Sequence, residues 1–179
     1  MEHSIWLNSL FENLEKYGDE GRTAVAYLRA HHTKIGIKRT RSSIGAWWTI
    51  FRNINLNSLY YSYDKSLNNT RVFTLIIHEV RHLKQGFFTA LSVYGELDAW
   101  QLEWSIYYRM HNRYPHPAIE ELMSLPLGWD RNVLRRAVQL MQAYASKGYR
   151  ADLLPYYPLG REIMYRLFRK IPPSNLQPV

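Results

Sequence analysis

The apolar positions Ile5, Leu7, Leu10, Phe11 and Leu14 in SIWLNSLFENLEK recur at the spacing of one helical face, and YGDEG then interrupts them. A second helix is expected from Thr23 to about His32. The pattern then changes. KIGIKRT, AWWTIF and NINLNSLYYSY are β-branched or aromatic, and Asn53 to Asn57 alternate with a period of two. Two or three antiparallel strands are expected here, joined through Arg41, Ser42, Ser43 and Gly45. The polar stretch DKSLNNT follows, with Asn69 or Thr70 placed to cap a helix that ends at Gly86. A longer helix, apolar on more than one side, starts near Gly95 and is broken by YPHP. Three more helical patterns follow in AIEELMSL, DRNVLRRAVQLMQAYAS and LGREIMYRLFRK, before a Pro-rich end, IPPSNLQPV. The ordering implies an α+β fold, mostly helical with a small, mainly antiparallel sheet. One domain is expected over 1–179, with 1–110 as its core and 111–179 as a helical C-terminal part.

Composition narrows the chemistry. The chain has no Cys, which excludes disulfides and thiol catalysis and leaves His and carboxylates to build any transition-metal site. The acidic N-terminus lacks the features of an export signal, and no apolar run approaches the roughly twenty residues needed to span a bilayer. A cytoplasmic protein without a membrane partner is the expectation. The net charge of +8 admits nucleic acid as a partner, with Lys34, Lys38, Arg39 and Arg41 as the densest cluster, although most such clusters are solvated faces. The tyrosines and histidines offer many oxyanion donors (Tyr60, Tyr61, Tyr63, Tyr107, Tyr108, His111 and His116), and nothing in the sequence selects one.

The stretch TLIIHEVRHLKQG carries the chemistry. Histidines at i and i+4 stack on one helical face, so His78 and His82 can reach a single ion while Glu79 is offset toward its water. Zinc in such a site acidifies its water, and a neighbouring glutamate can take the proton and pass it to a leaving amine. With seven His and ten Glu in 179 residues, the spacing arises by chance in roughly one to two per cent of chains. Phe73, Ile76, Ile77 and Val80 form the apolar face, with the histidines roughly opposite beside Leu75. A third ligand is expected from GELDAWQLEW. Glu96 is favoured because nine residues from Phe87 can reverse the chain, and Ala99 one turn later allows close approach. Glu103, two turns on and nearly on the same face, is the competing ligand.

HEVRH followed by GELDA resembles the gluzincin zinc metallopeptidases, especially the single-domain minigluzincins. The resemblance implies a zincin-like fold, one zinc ion per chain held by His78, His82 and Glu96, and Glu79 as general base. It also implies a peptide or protein substrate paired to a sheet edge, here around NINLN or AWWTIF. Many gluzincins carry an acid four residues after the third ligand; this chain has Trp100 there, and Asp98 is the nearest acid. Two other functions compete: a basic nucleic-acid- or protein-binding module on an inactive scaffold of this type, and a structural zinc closed by a fourth protein ligand such as Glu103.

Overall fold

The computed structural model describes residues 2–168. The end of the chain, with the Pro-rich segment, lies outside the described residues. The order of elements is α1 (His3–Glu15), α2 (Gly18–Ala30), β1 (Ile35–Lys38), β2 (Ala46–Trp48), β3 (Ile54–Asn57), α3 (Tyr63–Ser66), α4 (Thr70–Gln85), α5 (Phe87–Ala90), α6 (Val93–His111), α7 (Pro117–Ser124), α8 (Arg131–Ala145) and α9 (Leu159–Phe168). A 3-10 turn, Ala151–Leu153, lies between the last two. The fold is α+β. No helix of the described residues is long and apolar enough to cross a membrane.

The sheet departs from the mainly antiparallel arrangement expected. Its strand order is β1-β3-β2; β3 pairs antiparallel with β2 but parallel with β1. A tight hairpin sets the β2–β3 direction, while β1 and β2, neighbours in sequence, lie on opposite sides of β3. Strand β3 is therefore central and buried along its whole length, so NINLN is not the sheet edge expected as one place for a substrate to pair. Asn57 explains its own burial. Its amide donates to the carbonyls of Arg41 (2.9 Å) and Ile44 (2.7 Å), and its oxygen accepts from the amides of Thr40 and Leu59. One satisfied side chain thus ties the β1–β2 connection to the sheet.

Two apolar clusters meet along α6. Trp6, Leu10, Leu28, Ile54, Leu56, Ile76 and their neighbours form the first, which takes Ile106 from α6. Val93, Leu97, Trp100 and Trp104 of α6 join α7 and α8 in the second. Between the clusters α4 packs along α6. Asn69 caps α4, its side chain accepting from the amide of Arg71 at 2.9 Å, and Gly86 ends that helix with a φ of 78°. Ser92 caps α6 by accepting from the amide of Gly95.

Gly95 marks a close approach. A Cβ there would lie 2.0 Å from the carbonyl oxygen of Thr89, a backbone atom that cannot swing aside. Gly95→Ala is therefore expected to cost about 3 kcal/mol, measured as a fall of roughly 6–12 °C in the thermal unfolding midpoint.

Candidate metal centre

Helix α4 delivers His78 and His82 one turn apart, and both are buried, at 6% and 2% exposure. The reversal through α5 brings α6 back against them, so that Glu96, in its first turn, meets the imidazoles. The two Nε2 atoms are 3.0 Å apart; Glu96 Oε1 is 3.5 Å from His82 Nε2, and Glu96 Oε2 is 4.0 Å from His78 Nε2. All three ligand atoms lie within 4.8 Å of one another, a buried His–His–Glu group that could hold a metal ion. A tetrahedral zinc with bonds near 2.0–2.1 Å separates its ligand atoms by about 3.3 Å. The observed spacings straddle that value.

The partners of the other ring nitrogens set the tautomers. The Nε2 of Gln85 donates to Gly95 O (2.9 Å) and Asp98 Oδ2 (2.6 Å), which turns its Oε1 toward His82 Nδ1 at 3.1 Å. That acceptor assigns the His82 proton to Nδ1. Arg81 holds Asp98 in turn with two hydrogen bonds. Behind His78, Glu103 Oε2 lies 2.9 Å from Nδ1, close enough for an ion pair though not aligned as a hydrogen bond, and its other oxygen meets the Arg71 guanidinium. A carboxylate there also favours a proton on Nδ1. Both Nε2 lone pairs then point at each other across 3.0 Å beside a carboxylate, an electron-rich arrangement that a cation relieves.

Burial, followed by the nearby His82 and Arg71, holds His78 well below the usual imidazole range, against a smaller opposing effect of the Ala99 backbone. A neutral imidazole is the form that ligates metal. Glu79, only 4% exposed, is pushed well above the carboxylate range by burial and then by Glu96, while a backbone hydrogen bond from Trp48 partly offsets this.

A cavity of about 690 Å³ opens on the group. The stretch Gly45 to Trp48 lines it, together with Tyr144, Tyr149, Arg150 and Leu154. The C-terminal region, which carries no motif of its own, thus contributes to the lining of the cleft. Of the tyrosines and histidines offered by the sequence as donors, Tyr60 and Tyr61 line this cavity. Tyr107 and His111 line a separate hollow, Tyr63 packs edge-on against Trp6, Tyr108 stacks on Tyr114, and His116 caps α7.

Two contributors, Tyr149 and Gln85, are not singled out by the sequence, and Glu103 takes a different place from the ligand position considered for it. Tyr149 donates its hydroxyl proton to Glu96 and accepts from Trp100 Nε1 at 3.0 Å; burial, then the Glu96 charge, push its pKa well above the phenol range. It belongs to the loop after α8, and no spacing rule links it to the motif. Gln85 had a signal, since it lies three residues after His82 and so shares its face. Glu103, considered as a ligand, lies on the Nδ1 side of His78, away from the Nε2 atoms.

Comparison with protein-family models, with curated proteins and with solved structures gives no match. The chemistry of the site rests on its own geometry.

Proposed function

We propose that the protein is a zinc metalloendopeptidase with a zincin-like, gluzincin-type active site. The observation that carries this reading is the convergence of two buried imidazoles and one carboxylate on a single point beside a second buried carboxylate, Glu79. A zinc ion bound there supplies an acidified water and polarises the scissile carbonyl. His78, His82 and Glu96 would hold it. Glu79 accepts the proton of the attacking water and returns it to the leaving amine. Tyr149, kept protonated by its surroundings, would turn its single hydroxyl proton from Glu96, once the metal engages that carboxylate, to the oxygen on which negative charge develops.

Substrate placement follows from the sheet. Strand β2 is paired on one side with β3, and its other edge runs along the cavity. An extended peptide that added there as a further strand would pass its backbone over the metal centre. The position of Glu103 speaks against a closed structural zinc, because its carboxylate is engaged by Arg71 on the far side of the His78 ring.

Activity against a peptide library, with and without chelator, tests the proposal. Hydrolysis that is lost on chelation and restored by zinc supports it; a zinc-loaded protein that cleaves no peptide counts against it. Tyr149→Phe is expected to lower kcat by roughly a hundredfold with little change in KM, while metal analysis still finds the zinc.

A further inference from the structure

The β2–β3 hairpin has a tip that folding does not explain. Thr49 donates its amide to the carbonyl of Asn53 at 2.9 Å and accepts from the amide of Arg52 at 2.8 Å, with Arg52 in the left-handed region at a φ of 57°. This is a tight, fully bonded three-residue turn. Turn tips ordinarily carry Gly, Asn, Asp or Ser. Here the two tip residues are Ile50 and Phe51, 67% and 78% exposed.

Their surroundings are apolar and basic. Trp48 packs edge-on against Phe87, which contacts Phe88 in the same manner, and both phenylalanines are exposed. Arg52 reaches His31 at 3.1 Å; His31 stacks on Tyr27, whose hydroxyl donates to the carbonyl of Leu83. Lys84 is next in sequence, and Lys34 precedes β1 at the level of Ile54, whose amide bonds its carbonyl. Arg52, Lys34 and Lys84 are all solvent-exposed. From Gly21 to Tyr63 the chain contains seven Lys or Arg and no Asp or Glu. Exposed bulky side chains with cations on the neighbouring elements match the chemistry of an anionic bilayer surface, whose phosphates meet the cations while the apolar groups enter the interfacial layer.

We propose that this hairpin tip docks the protein on an anionic membrane, with Ile50 and Phe51 entering the interface and Arg52, Lys34 and Lys84 facing the headgroups. A surface contact needs no spanning segment, so the lack of one in the sequence does not oppose it. A nucleic acid is the poorer fit, because Phe51 can stack on a base but Ile50 beside it cannot, and Lys38, Arg39 and Arg41 lie toward the other end of β1. Docking would hold the mouth of the cleft beside the bilayer, since Trp48 lines the cavity two residues before the tip. The inference does not depend on zinc.

Flotation of the full-length protein with vesicles tests it. Binding is expected to vesicles of phosphatidylcholine with one third phosphatidylglycerol and not to phosphatidylcholine alone. Ile50→Ser combined with Phe51→Ser is expected to weaken partition by roughly tenfold or more, with an unchanged unfolding midpoint because both side chains are already in water. Lys84→Glu should weaken it less. Glu79→Gln should bind as the wild type does, which separates this proposal from the catalytic one. No binding, equal binding to both vesicle types, or wild-type binding by the double variant would overturn it. So would tip-dependent binding to RNA or DNA in place of vesicles, or self-association that the double variant abolishes.

Discussion

Replacing Glu79 by Gln is expected to lower peptide hydrolysis by about a thousandfold while one zinc per chain remains bound. The side chain is close to isosteric and is not among the metal-binding atoms, so removing the proton acceptor leaves the ligand set intact. The fold should not suffer. Above pH 4.5 an unfolded glutamate ionises, whereas the buried Glu79 of the metal-free protein keeps its proton to a higher pH. The folded state therefore binds more protons than the unfolded one, and Glu79 costs stability as pH rises from 4.5 toward its raised value. Gln carries no such cost. Thermal unfolding of the metal-free variant near neutral pH should occur at or above the wild-type midpoint, so lost activity there reads as lost chemistry. Activity retained in the variant would remove Glu79 from the mechanism.

The second large effect separates the two glutamates of α6. Glu96→Ala is expected to weaken zinc binding by more than about a thousandfold, since it deletes one of the three proposed ligands and the only anionic one among them. The zinc-induced rise in unfolding temperature should vanish with it. Glu103→Gln should cost only about 10–100-fold in affinity, the range for a group that orients a ligand. Zinc titration against a competing chelator measures both. The reverse ranking would make Glu103 the ligand.

The competition between these residues was open in sequence because they lie seven apart, close to two full turns, and so share a face of α6. Antiparallel packing separates them. Moving along α6 from Glu96 to Glu103 runs back along α4 from His82 toward Arg71, and places the second carboxylate behind His78 instead of in front of it. The HExxH helix, its Asn69 cap and its Gly86 stop were legible because periodicity and capping are local. Sheet topology was not. Alternation in Asn53 to Asn57 marks a strand but carries neither direction nor partner, so the parallel pairing with β1 and the central place of β3 had no local signal. The burial of Asn57 had no local signal for a related reason, because the carbonyls that its amide bonds lie 13 and 16 residues away. Tyr149 meets Glu96 across 53 residues. Nothing distinguished it in sequence from the other thirteen tyrosines.

The most direct test of the zinc centre is a crystal structure of the zinc-loaded protein, with the ion located by anomalous scattering. The account predicts one ion bonded at about 2.0–2.2 Å to His78 Nε2, His82 Nε2 and a Glu96 oxygen, with the remaining position open to the cavity beside Glu79. An ion closed by a fourth protein ligand, an ion elsewhere, or no ion in these residues would contradict it.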